Sequence, residues 1–111
     1  MHGNLPALRA VLDDVRAAAP DRVWCLGDLV GYGAHPDGCV SAAREHCDVN
    51  LAGNHDLGVL DHIDITDFAP HAEQAARWTR QNASEETLSF LESLSPKRDG
   101  EVIGLFHASP R

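Results

Sequence analysis

The sequence predicts an α/β protein built on parallel βαβ units. Two observations carry this. In the first half, segments with apolar residues at helical spacing alternate with short apolar runs, the pattern of strands joined by crossover helices. Aromatics make up only 5% of a chain that is 43% hydrophobic, so the core must rest on Leu, Val, Ile and Ala in layered packing. At 111 residues the chain is sized for one small domain.

The elements follow in order. Residues 5–19 read as a helix: Pro6 suits its first turn, Leu5, Leu8, Val11, Leu12 and Val15 form an apolar stripe, and Pro20 stops it. Residues 22–26 read as a buried strand ending at Gly27. After the loop Gly31-Tyr32-Gly33, a second helix is predicted from Pro36 to about His46, with Val40, Ala43 and Cys47 inward. Residues 48–52 read as a second strand ending at Gly53. A third helix is predicted over residues 69–81, with Ala72, Ala75, Ala76 and Trp78 available for packing. Ser84 caps a fourth, with Glu85 and Glu86 in its first turn and Leu88, Leu91 and Leu94 as its apolar face. Residues 95–100 read as a polar turn and 101–106 as a third strand ending at His107.

Net charge is −8 with no run of basic residues, which argues against a nucleic-acid surface. The three cysteines, Cys25, Cys39 and Cys47, show no CxxC spacing and suit a reducing, cytoplasmic setting. No signal-peptide pattern is visible, and no apolar run approaches the ~20 residues of a membrane span.

The chemistry collects at the strand ends. The first strand leads to Asp28, the second to Asn54 and His55, and the third to His107. Parallel strands gather such residues at one edge, where ligands bind in open α/β sheets. His2 would leave the same edge if a strand preceded it. Carboxylate, amide oxygen and imidazole suit Mn²⁺, Fe²⁺, Zn²⁺, Ni²⁺ or Co²⁺. Asp28, with two oxygens, could bridge a pair of ions that clamps a phosphoryl group. Gly27 and Gly53 suit sharp backbone turns near the ions.

Gly27-Asp28 followed by Gly53-Asn54-His55-Asp56 resembles the middle signature of the calcineurin-like metallophosphoesterases. His2-Gly3-Asn4 resembles the end of that family's first motif, Asp-x-His-Gly-Asn, and His107-Ala108-Ser109-Pro110 its next His-bearing strand end. Gly27-Asp28-Leu29-Val30-Gly31-Tyr32-Gly33 looks like the small bacterial phosphodiesterase branch. The resemblance implies a layered α/β/β/α sandwich, of which this chain is the N-terminal part. It implies hydrolysis of a phosphomonoester or phosphodiester by a metal-bound hydroxide at a dinuclear site, Mn being the favoured metal. It implies that His2 holds the first metal, Asp28 bridges both, and Asn54 and His107 hold the second. His55 would meet the phosphate as proton donor or charge stabiliser, with Asp56 orienting it.

The first-motif Asp and the closing Gly-His-x-His are absent, which predicts a partial domain over 1–111, truncated at both ends. The rival function is a non-catalytic domain that binds metal or a partner. A nucleotide-binding domain sharing only the βαβ layout ranks last, since no Walker or Rossmann loop is present.

Each candidate also has a plainer role. His2 could be a solvated terminal residue, Asp28 a loop cap, Asn54 a turn residue, and His107 a structural histidine. His55 could begin a helix, bonded to Asp56. His35, His46, His62 and His71 read as exposed or locally bonded, and Asp61, Asp64 and Asp67 as a polar loop. Tyr32 either lines a substrate pocket or packs on its loop. Trp24 and Trp78 read as core.

Overall fold

A computed structural model describes residues 1–110. The order is α1 (Leu5–Ala18), β1 (Trp24–Cys25), α2 (Pro36–His46), β2 (Val49–Asn50), α3 (Asn54–Val59), α4 (Pro70–Asn82), α5 (Glu85–Glu92), β3 (Lys97–Arg98) and β4 (Leu105–Phe106). β1 and β2 are parallel, with Trp24 opposite Val49 and Cys25 opposite Asn50. That pair, with α2 as its crossover, is the predicted βαβ unit.

The helices begin where local chemistry starts them. The Asn4 side chain caps α1 by accepting from the Ala7 N–H at 3.1 Å, with Pro6 in the first turn. Pro36 and Pro70 open α2 and α4. Ser84 caps α5 by accepting from the Thr87 N–H. The Asp37 carboxylate reaches from α2 to accept from the Ser84 N–H at 2.9 Å, pinning the start of α5 against α2.

The core has two parts. Cys25, Leu29, Val30, Val40, Ala43, Val59, Ile65, Ala76 and Leu91 form the larger. Leu8 and Leu12 of α1 close on Cys39 of α2 in the smaller. The α1 stripe is narrower than its spacing predicts, because Val11 is 57% exposed. Leu94 lies beyond α5 but still packs on the larger core.

The strands depart most from expectation. Both members of the parallel pair are two residues long, although Leu51 N–H still donates to Cys25 O at 2.9 Å beyond them. The third predicted strand shrinks to residues 105–106 and pairs antiparallel with Lys97–Arg98, inside the expected polar turn. Its apolar start was misleading: Val102 is 93% exposed and touches no core. The segment still borders the parallel pair, since Ala52 N–H donates to Ser95 O at 2.9 Å.

Both tryptophans are half-exposed rather than core. Strand alternation explains Trp24. Cys25 turns toward the helices, so Trp24 and Leu26 turn to the opposite face. That face carries an open groove bordered by Trp24, Val49, Ile103 and Leu105. On α4, the buried stripe is Ala72, Ala76 and Thr79, which leaves Trp78 on its flank.

Candidate metal centre

The site forms at the carboxyl ends of β1 and β2, where the loops 26–33 and 51–54 lie side by side. Gly27 has φ +104, and a Cβ there would strike Gly53 N and the His107 ring. Asp28 follows with φ 55, a left-handed backbone that costs a non-glycine residue about 1 kcal/mol. This kink aims the carboxylate back across the loops. Its Oδ1 accepts from the His55 N–H at 3.1 Å. Its Oδ2 lies 3.5 Å from His2 Nε2 and 3.5 Å from His107 Nε2.

The N-terminal segment docks against the same loop. His2 N–H donates to Asp28 O at 2.7 Å, and Gly3 N–H to Leu29 O at 2.9 Å. His2 Nδ1 lies 3.3 Å from Val30 O. His107 Nδ1 lies 2.6 Å from Leu26 O. A carbonyl can only accept, so each Nδ1 carries a proton, and in the neutral ring Nε2 is the nitrogen with the lone pair. Both lone pairs face Asp28 Oδ2, and His107 Nε2 also lies 3.2 Å from Asn54 Oδ1. Acceptors therefore converge on acceptors. This arrangement calls for a proton or a cation between them. A ring nitrogen free for a metal while its partner donates to a carbonyl is the habit of metal-binding histidines.

His2, Asp28, Asn54 and His107 thus gather at one edge, and all four could hold divalent ions. Among the described residues, no three His, Cys, Asp or Glu side chains are closed around one metal-sized point. The donors lie against one another instead, one of them an amide. The donor chemistry fits hard to borderline first-row ions.

His55 sits in the first turn of α3, 8% exposed, with its ring 4.6 Å from His2, 4.9 Å from Tyr32 and 4.9 Å from Phe68. Its Nδ1 is buried without a partner. Burial pushes the imidazole below its usual pKa; Asp28 opposes this, and His2 and His107 add to it. Asp56 does not hold that nitrogen. Its fully buried carboxylate accepts from Gly53 N–H at 2.8 Å and Val30 N–H at 3.0 Å. The expected Asp56–His55 partnership is replaced by a brace between the two loops. Burial pushes the Asp56 carboxyl up, against the pull of those N–H groups.

Sequence reasoning missed four contributors. Phe68 backs the His55 ring, and a lone Phe in a loop carries no signal. Arg80 donates to Gly58 O at 2.7 Å and Val59 O at 2.8 Å, fixing the far end of α3. Leu26 O and Val30 O set the histidine tautomers through backbone atoms that no pattern reveals. The histidines set aside behave as expected: His62 pairs with Glu92 at 2.9 Å, and His46 lies 3.8 Å from Glu45. Asp64 accepts from Thr66 in a local turn.

A mixed α/β core thus gathers histidine, carboxylate and amide side chains at one edge of its parallel strands. The calcineurin-like phosphoesterase family model matches residues 1–109, and the chain belongs to that family. It is 37% identical over 115 residues to an uncharacterized protein of Methanocaldococcus jannaschii, covering all of this chain and 47% of that protein. It superposes on the crystal structure of a metallophosphoesterase from Sphaerobacter thermophilus with a TM-score of 0.71 and 39% identity, over 89% of this chain and 40% of that one. A hypothetical protein from Pyrococcus horikoshii matches at TM-score 0.74 and 20% identity, over 87% and 46% of the two chains, a likeness of fold. The fold is therefore the N-terminal part of the metallophosphoesterase fold. The chain spans less than half the length of these relatives.

Proposed function

We propose that this chain supplies much of a dinuclear centre that hydrolyses a phosphomonoester or phosphodiester. The observation that carries the reading is the convergence of His2 Nε2 and His107 Nε2 on Asp28 Oδ2, each at 3.5 Å. His2, Asp28, Asn54 and His107 are the residues that would hold the ions, with Mn²⁺ first and Fe, Zn, Ni or Co as alternatives. When bound, such ions polarise the phosphoryl group and supply a nucleophile at neutral pH. The chain's own residues do the rest. Asp28 accepts the His55 N–H of α3 through Oδ1 and would offer Oδ2 to the ions. His55, held between Tyr32 and Phe68, meets the phosphate as a hydrogen-bond or proton donor. Asp56 keeps the two loops in register. Three free thiols, two of them buried, support a reducing, cytoplasmic setting. Among the described residues, no helix is long and apolar enough to cross a membrane.

A second reading is a domain that binds metal without turnover. It asks only for the convergence of His2, Asp28 and His107, and not for a phosphate-facing role of His55. Hydrolysis of bis-p-nitrophenyl phosphate with Mn²⁺, measured beside Asp28→Ala, decides between them. The proposal expects turnover that Asp28→Ala abolishes. Equal rates in both would remove Asp28 from the chemistry, and Mn²⁺ binding without turnover would leave the second reading.

A further inference from the structure

Tyr32 does more than pack on its loop. Its ring meets His2 edge-on, 5.2 Å between centroids, and lies 4.9 Å from His55 at a tilt of 34°. It nevertheless stays 54% exposed. It also borders a groove of ≈ 280 Å³ lined by Tyr32, Ala34, His71, Gln74, Ala75 and Trp78. Trp78 is 41% exposed there, on the flank of α4 that packs against no core. Two large aromatic rings thus face water across small alanine side chains, in a groove whose wall is the ring that touches His2 and His55. Core packing does not account for either exposed ring.

We propose that this groove binds the base of a nucleoside phosphoester, so that the leaving group is a nucleoside; this rests on the phosphoesterase reading of the site. Base stacking on Trp and Tyr tolerates many bases because each has a π-face. The Gln74 amide and the His71 imidazole offer donors and acceptors to the edge of a base. The volume lies just below the roughly 300–1,000 Å³ of drug-sized ligand sites, the scale of one ring system. The net charge of −8 disfavours a longer nucleic-acid strand in the same place. Tyr32 is then a specificity residue, with one side toward the phosphate site and the other toward the base.

The test uses the metal-free chain carrying Trp24→Phe, so that Trp78 is the sole tryptophan. Its emission is titrated with adenosine, phenol and ribose 5-phosphate. Adenosine is expected to quench saturably, with phenol at least about tenfold weaker and ribose 5-phosphate without effect. Unchanged emission with adenosine, or equal quenching by ribose 5-phosphate, would overturn the proposal. Phenol binding as tightly as adenosine would overturn the nucleobase assignment. Tyr32→Ala and Ala75→Arg, which remove a wall and fill the groove, should each weaken adenosine about tenfold or more. Undiminished binding in the Ala75→Arg variant would contradict the site. Because the titration needs neither metal nor turnover, the two ideas fail separately. Adenosine binding without Mn²⁺-dependent hydrolysis supports the groove and overturns the phosphoesterase reading. Hydrolysis without adenosine binding does the reverse.

Discussion

Asp28 and His55 are joined through the backbone: Asp28 Oδ1 accepts the His55 N–H at 3.1 Å. One oxygen of the carboxylate therefore anchors α3, and only Oδ2 faces the two histidines. The carboxylate expected to bridge ions thus spends one of its lone pairs on the His55 N–H. The position of His55 is therefore tied to the same side chain that would hold the ions.

Gly53 is required by that contact. Its φ is −92, so no conformational argument applies. A Cβ there would collide with Asp28 Oδ1 and Asp28 N. Gly53→Ala should destabilise the fold by about 1–3 kcal/mol and weaken Mn²⁺ binding. The first shows as a lower urea midpoint at unchanged slope, the second in a calorimetric titration. Wild-type values in both would mean the loops do not approach as described.

Asp56 braces the two loops. Asp56→Ala would leave the buried N–H groups of Val30 and Gly53 without an acceptor, at about 1–3 kcal/mol each. Asp56→Asn keeps one acceptor oxygen and should lose about half as much. Urea unfolding of both variants checks the ranking. Equal losses, or none, would contradict the brace.

Asp37 gives the fold an acid-sensitive joint. Its bond to the Ser84 N–H holds its pKa below the ordinary 3.8, helped by the Thr87 hydroxyl. A lowered folded pKa means the contribution is present above the unfolded value and disappears as pH falls through the folded one. Because the group is largely exposed, the effect is small. Urea midpoints of the wild type and Asp37→Asn should differ at pH 7 and converge as the pH falls below 3.8 through the lowered folded value. A gap that persists at low pH would contradict the assignment.

Cys47 should be a slow thiol. Burial, then Cys25 and Asp48, push it from 9.0 to about 11. At pH 8 its thiolate fraction is about 100-fold below that of a free cysteine. Iodoacetamide labelling followed by peptide mass mapping should show it protected in the folded chain, with labelling rising toward pH 11. Rapid modification at pH 8 without denaturant would refute the burial.

The helices were legible because capping residues and prolines mark their ends: α2 begins at Pro36 and closes at His46 as its pattern says. The strands were less so. A run such as 101–106 carries β-prone residues, but Val102 and Ile103 find nothing to pack against, and only 105–106 pair. Helix α3 was hidden inside the Gly-Asn-His-Asp signature, too short for apolar periodicity to show. At the site, Asp28, Asn54 and His107 were visible as residue types at strand ends, and His2 through the His2-Gly3-Asn4 motif. The backbone carbonyls that orient the histidines were not, and neither was the true partner of Asp56, because both depend on how two loops meet. Trp24 and Trp78 misled, since size suggested burial while strand alternation and helix phase turned them outward.

The proposed cation site is Asp28 Oδ2 with the Nε2 atoms of His2 and His107. Calorimetric titration of the chain with Mn²⁺, beside Asp28→Ala and Asp28→Asn, tests it most directly. The account predicts saturable binding in the wild type and at least about tenfold weaker binding in both variants. Binding that survives Asp28→Ala unchanged would contradict it.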